Sequence, residues 1–254
     1  MAGNLHTLVR DLQRRKARER RGLVVAEGRR LVADALASGV KVAGIIVSAD
    51  AGPAVTAAVV EPAGTRGIKV ETLPREEFDA LADTETPSGV LAVVEWEPLA
   101  VADLPGLSAP MLVLDGVQDP GNVGTMIRTA FALGACATVA LDGTADVRSP
   151  KASRGSMGAL FRHPVAVASF EEFVAWGRQR SLYYLVAAMD GASLRGARRE
   201  GEPPVALVVG SEGHGARPGW YTVGARRVAI PMRPGAESLN AAVAAGILLY
   251  ELTQ

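Results

Sequence analysis

The chain of 254 residues lacks the marks of several common protein classes. Its one cysteine, Cys136, sits inside an apolar stretch. No disulfide framework can form within the chain, and a small buried hydrophobe is the expected role. The three histidines, His6, His163 and His214, share no ligand spacing with one another or with Cys136, so no metal site is expected. No apolar run approaches membrane length, and the basic N-terminus lacks the apolar core of a signal peptide. A cytoplasmic location is therefore expected. Net charge is also missing, with 27 basic side chains against 27 acidic ones.

That neutrality hides local polarity. Residues 1–30 carry nine Arg or Lys (Arg10, Arg14, Arg15, Lys16, Arg18, Arg20, Arg21, Arg29, Arg30) against Asp11, Glu19 and Glu27. Between Val147 and Phe170, Arg148, Lys151, Arg154 and Arg162 meet no acidic residue. Two basic patches in a neutral chain suit a polyanion bound along one face, although solvated helix charge would look the same.

With 48% hydrophobic residues the chain is globular and long enough for two modest domains. Periodicity predicts a basic helix over 4–20 capped at Asn4, then a strand at 23–26 and a helix over 29–37 ended by Gly39. Strands at 42–47, 68–71 and 90–94 follow, with helices after Pro53 and near 74–81. This reads as a small α/β domain over 1–95. Residues 96–110, with three prolines and a glycine, read as a linker. Over 111–254, strands at 111–115, 137–141, 164–168, 183–188, 205–209 and 227–230 alternate with helices near 121–133, 150–157, 170–178 and 238–252. Such alternation predicts a mostly parallel sheet covered on both faces. The last helix, with Ser238 as its N-cap, places Val243, Ile247 and Leu248 on its apolar face.

Three loops at strand ends carry the chemistry. Asn122, Gly124 and Arg128 follow an Asp-Pro-Gly turn, which places an arginine to meet an anion at a strand's carboxyl end. A buried strand runs into Gly210-Ser211-Glu212-Gly213, where glycine permits positive φ and close approach of a ligand. Ile230-Pro231-Met232 ends another strand and is followed by Ser238-Leu239-Asn240. Singly these have ordinary explanations: a tight turn, a helix cap, a surface ion pair. The dinucleotide fingerprint G-x-G-x-x-G is absent, which argues against a nicotinamide-dependent oxidoreductase.

The ordered set, N-x-G-x-x-x-R, G-x-E-G and I-P-M with S-L-N, resembles the three motifs of the SpoU (TrmH) family of RNA ribose 2′-O-methyltransferases. The resemblance spans about Met111 to Leu252, departing from the family pattern at Ala241-Ala242. Arg18 and the Glu27-Gly28 pair are similar to the ribosomal-protein-like substrate-binding domain that precedes the catalytic domain in ribosomal-RNA members. It implies S-adenosylmethionine as cofactor, a deep trefoil knot in the catalytic domain, and a homodimer with active sites near the interface. By the same resemblance Gly210, Ile230, Met232, Ser238, Leu239 and Asn240 bind the cofactor, while Arg128, Asn122, Glu212, Ser238 and Asn240 serve catalysis. Arg14, Arg15, Arg18, Arg21, Lys151 and Arg154 are the expected RNA contacts. Arginine holds its proton throughout the working pH range and so makes a costly base. A pairing of Arg128 with Glu212 is therefore expected, with Arg128 holding phosphate or developing alkoxide charge and Glu212 or a substrate phosphate taking the proton. Large-subunit ribosomal RNA is the expected substrate. The alternatives are a transfer-RNA 2′-O-methyltransferase and a non-catalytic RNA-binding protein on the same scaffold.

Overall fold

The structure, a computed structural model, describes residues 4–194, 204–235 and 238–253. The chain forms two compact units, each assembled from two segments. The first joins residues up to Glu97 with Asp146–Arg162, and the second joins Pro98–Ala145 with residues from His163 onward.

In the first unit, Asn4 Oδ1 accepts from His6 N at 3.2 Å and caps α1 (Leu5–Leu12). The single helix expected over 4–20 is broken, and α2 (Arg15–Arg21) starts afresh. The side chain of Arg18 explains the break. Its Nη1 donates to the carbonyls of Leu12 and Gln13, both at 2.8 Å, acceptors that a continuing helix would have claimed. Next come β1 (Leu23–Glu27), α3 (Arg29–Ser38) and β2 (Val42–Ser48). Short helices α4 (Pro53–Val55) and α5 (Glu61–Thr65) flank a π turn. They lead to β3 (Val70–Leu73), α6 (Arg75–Asp79) and β4 (Val90–Glu95).

The sheet order is β1-β4-β2-β3, with only β2 and β3 parallel. Val25, Ile46, Leu91 and Val93 face Leu5, Val9 and Leu12 of α1 together with Phe78. Alternation turns Val24, Ala26, Ala92 and Val94 to the other side, where α3 packs.

The second unit opens with β5 (Met111–Asp115), α7 (Pro120–Ala132) and β6 (Thr138–Leu141). The chain then supplies α8 (Pro150–Ser156) to the first unit, where it packs on β1. On returning it forms β7 (Val165–Ala168), α9 (Phe170–Arg178), β8 (Tyr183–Ser193) and β9 (Val205–Gly210). The remaining elements are α10 (Gly219–Thr222), β10 (Arg226–Ala229) and α11 (Ala241–Thr253). All six strands run parallel in the order β10-β8-β9-β5-β6-β7, as the continuous apolar runs predict. Phe173, Trp176, Tyr184 and Trp220 fill one face, while α7 and α11 pack together on the other.

Two expectations on organisation change. Trp96 N donates to Gly22 O within the first unit, and Leu99 N donates to Val165 O within the second, so 96–110 is fastened chain and no free linker. Residues 146–162, expected in the catalytic half, belong to the first unit. No helix among the described residues is long and apolar enough to cross a membrane.

His163, bonded through Nε2 to Thr138 Oγ1 at 2.9 Å, is buried. Burial strips water from the ring and pushes its pKa down from 6.5 to about 4. The unfolded chain therefore binds more protons than the native one in this window. Stability present above pH 6.5 falls as pH drops toward 4, by on the order of 3 kcal/mol. Denaturant unfolding of wild type and His163→Gln at pH 7 and pH 5 should show the larger loss in the wild type. Equal losses would remove His163 as the cause.

Candidate active site

Parallel strands bring the carboxyl ends of β5, β8, β9 and β10 to one edge of the second unit. After β5, Asp119 caps α7 by accepting from Gly121 N at 3.0 Å, with Pro120 at the first helical position. Asn122 then lies in the first turn. Its Nδ2 donates to Glu212 Oε1 at 2.7 Å, and its Oδ1 accepts from Asn240 Nδ2 at 3.2 Å. Asn240 Oδ1 in turn accepts from Ala242 N at 2.9 Å and Val243 N at 3.2 Å. One residue from each of the three motifs is thus joined in a single hydrogen-bonded chain. The cap of α11 is therefore Asn240 and not Ser238, whose side chain is left to line the cavity beside it.

That cavity holds about 590 Å³. Gly210, Ile230, Met232, Ser238, Leu239 and Asn240, the six residues expected to bind cofactor, all line it, with Glu212 among them. The sequence reading missed Ala187–Asp190 and Tyr221 with Arg227 on the same wall. Arg227 pairs with Asp190 and its guanidinium lies 4.5 Å from the centre of the Tyr221 ring. Strand β8 runs to Ser193, past the end at 188 that its apolar run suggested, and no local signal marks the extra residues.

Gly210 is required for a different reason from the one expected. A side chain there would overlap the backbone of Gly215 and Ala216, which fold back against its α-carbon. Ser211 and Gly215 exchange two backbone hydrogen bonds, at 3.1 and 2.9 Å, that close this turn. The positive φ of the turn falls on Gly215, at 67°.

Arg128 stands apart. It is exposed, makes no ion pair among the described residues, and lines a separate shallow hollow with Thr129, Gly246, Ile247 and Tyr250. The expected Arg128–Glu212 pairing is absent. Six residues beyond Asn122, at about 100° each, turn Arg128 to another face of α7. On α11 Leu248 is buried as expected, together with Ala242, Ala245 and Leu249, but Val243 and Ile247, expected on the same apolar face, are exposed, as is Tyr250.

The basic residues divide in the same way. In the first unit Arg14 and Arg21 line a hollow of about 1000 Å³ with Arg10, Arg20 and Lys69. Asp11 lies among them, its carboxyl held below the usual range by hydrogen bonds from Arg14 and Arg21. Arg15, also exposed, pairs with Glu19 at 2.8 Å. Arg18 is no surface contact: it is buried, with Nη2 bonded to Asp146 at 2.7 Å. The second basic patch is likewise neutralised by acids from distant sequence. Arg154 meets Glu27 at 3.1 Å and Asp83 at 2.6 Å, Arg162 meets Asp34 at 3.2 Å, and Lys151 alone of the expected pair is exposed. Among the described residues no cluster of His, Cys, Asp or Glu could hold a metal ion.

Residues 109–250 match the SpoU rRNA Methylase family, and residues 8–92 match the MRM3-like substrate binding domain. The chain is 34% identical over 253 residues to the 23S rRNA (guanosine(2553)-2'-O)-methyltransferase RlmP of Bacillus subtilis, covering 96% of this chain and 93% of the relative. It is similar in structure to an AdoMet-bound rRNA methyltransferase from Sinorhizobium meliloti, with a TM-score of 0.83, 30% identity, and 99% and 95% of the two chains covered. The SpoU methyltransferase AviRb from Streptomyces viridochromogenes, in complex with AdoMet, gives a TM-score of 0.84 at 26% identity, covering 99% and 97%.

The buried position of Arg18 has a measurable consequence. Arg18→Met strands the Asp146 carboxylate and should cost about 3–5 kcal/mol in denaturant unfolding. A loss within about 0.5 kcal/mol, the usual range for surface substitutions, would return Arg18 to the surface.

Proposed function

Because the chain belongs to the SpoU rRNA methylase family, we propose that it transfers the methyl group of S-adenosylmethionine to a ribose 2′-hydroxyl of large-subunit ribosomal RNA. The observation that carries this reading is the chain Glu212–Asn122–Asn240 beside a cavity lined by all six expected cofactor residues. Its volume lies within the range of about 300–1,000 Å³ typical of sites for molecules of this size. The chemistry of the lining fits as well. Val209, Ile230 and Leu248 offer an apolar wall for a purine, and the carboxylate of Glu212 suits a sulfonium charge.

When bound, the cofactor supplies an electrophilic methyl group. The protein must then align a ribose hydroxyl and relieve it of its proton. Glu212 is suited to the second task. Asn122 Nδ2 holds its Oε1 in place, and the carboxylate takes the hydroxyl proton as the oxygen attacks. Arg128 stays charged and binds RNA phosphate.

Ribosomal RNA is favoured over transfer RNA because the match to RlmP runs through both units and is not confined to the catalytic part. The hollow bearing Arg10, Arg14, Arg20, Arg21 and Lys69 supplies a cationic surface for RNA backbone, in the region that matches a substrate-binding domain. A homodimer is supported by the exposed Phe131, Val243, Ile247 and Tyr250 on α7 and α11. Such a dimer would bring Arg128 to the edge of the interface, where the family resemblance puts the active sites and RNA phosphate can still reach it. A trefoil knot in the second unit is what membership of this family implies. With that substrate the enzyme acts where large ribosomal subunits are assembled, in keeping with the expected cytoplasmic location.

Transfer of labelled methyl to unmodified ribosomal RNA and to bulk transfer RNA tests the reading. Label should enter ribosomal RNA at one alkali-resistant linkage; label confined to transfer RNA would overturn the substrate. Glu212→Gln should lower the rate about 10²–10⁴-fold, and full activity with unchanged pH dependence would exclude it as the base. Arg128→Ala should abolish transfer. In RNA binding, Arg14→Gln with Arg21→Gln should reduce the slope of log affinity against log salt by about 1.5. An unchanged slope would move the RNA path elsewhere.

A further inference from the structure

Behind the cavity, outside its lining, lies a cluster that the motifs do not include. Asp115 closes β5 and stands in register with Gly210 of β9. Its carboxylate is buried, 3% exposed, yet fully met by donors. Oδ2 accepts from Arg217 N at 2.7 Å and from Trp220 Nε1 at 2.8 Å, and Oδ1 accepts from Arg217 Nε at 2.7 Å. Arg217 reaches on to Asp142, with Nη1 3.2 Å from its carboxylate and Nη2 2.8 Å from its carbonyl oxygen. Trp220 is itself fully buried, edge-on to Phe170 with ring centres 4.9 Å apart.

The chain between these points is the wall of the cavity. Ser211 to Ala216 all line it, and Glu212 sits in their midst. With glycines at 213 and 215 this loop has little stiffness of its own. It is fastened at both ends. At its start, Gly210 is covered by the returning backbone of Gly215 and Ala216. At its finish, Asp115 grips both the main-chain N–H and the guanidinium of Arg217. Since Asp115 and Gly210 are neighbours in the sheet, a single rung fixes both ends of the loop.

We propose that Asp115, acting through Arg217, is a positioning residue that holds the Ser211–Ala216 loop in the shape that receives S-adenosylmethionine. The inference rests on the cavity being the cofactor site. A loop held closed for only a fraction of the time weakens apparent affinity by that fraction and leaves the bound state unchanged. The signature is therefore a loss of affinity with the saturated rate preserved.

Asp115→Asn keeps the shape but replaces an acceptor with a donor facing other donors. Arg217→Lys keeps the charge and the main-chain N–H but cannot reach both aspartates. In ligand-free protein, amide hydrogen exchange over 211–216 should quicken in both variants. In calorimetry, affinity for S-adenosylhomocysteine should fall about tenfold, while kcat at saturating S-adenosylmethionine stays within about twofold of wild type. Wild-type exchange and affinity in both variants would overturn the proposal, as would a fall in kcat with affinity intact. Should Asp115→Asn fail to fold, Arg217→Lys, at the edge of solvent, decides alone. A wild-type protein that binds no S-adenosylhomocysteine overturns the cofactor reading itself. The two failures are distinguishable because exchange is measured without ligand.

Discussion

A carboxylate removed from water must be met by donors, or the fold that buries it is lost. Glu27, Asp115 and Asp146 are withdrawn in this way, and each recruits its donors from distant sequence. Asp146 takes Arg18 from 128 positions earlier. Glu27 takes Arg154, together with the main-chain N–H groups of Asp83 and Thr84. Asp115 takes Arg217 and Trp220. In the first unit these pairs join two separate segments of chain, and in the second they fix the loop that shapes the cavity. Apolar burial supplies most of the driving force for compaction. The charged pairs decide which segments end up beside one another, because a hydrophobic contact tolerates a shift that an unmet charge does not.

The sheet of the second unit was readable from short apolar runs separated by helical patterns, because strands buried on both faces need nothing else. The site was readable because its motifs lie at strand ends, where a parallel sheet gathers them. The hydrogen bonds of Asn122 to Glu212 and Asn240 were not, since spacing does not state which side chains meet. Periodicity also favoured one helix over 4–20, whereas the Arg18 guanidinium claims the carbonyls that would have continued it. The basic run after Val147 has no acid near it in sequence, yet its counterions, Glu27, Asp34 and Asp83, come from the N-terminal segment. Asp115 carries no local signal, since an acid at a strand end resembles any turn residue until its donors are known.

The central amide of the site has its own logic. Asn122 donates to a carboxylate with one end and accepts from Asn240 with the other. Only a side chain with both functions can do this: a carboxylate would repel Glu212, and an amine could not accept. Asn240 repeats the device, giving its N–H to Asn122 and its oxygen to the first turn of α11. The orientation of Glu212 is thus tied to two helix starts, both rigid, rather than to the glycine-bearing loop alone.

Assembly of the first unit from two segments bears on the order in which the protein is made. N-terminal domains ordinarily fold while the rest of the chain is still being synthesised. Here the partner of Arg18 and the helix that packs on β1 lie beyond three elements of the second unit. The unit therefore remains incomplete on the ribosome until Asp146–Arg162 has emerged, several seconds after Glu97 at about 5–20 residues per second. Through that interval Arg18 waits in water for its counterion, and the second unit has begun to emerge before the first has all its parts. A gene fragment ending near residue 97 would encode the whole sheet but neither α8 nor the counterion of Arg18, so this part of the protein is not a module that recombination could move by a single cut.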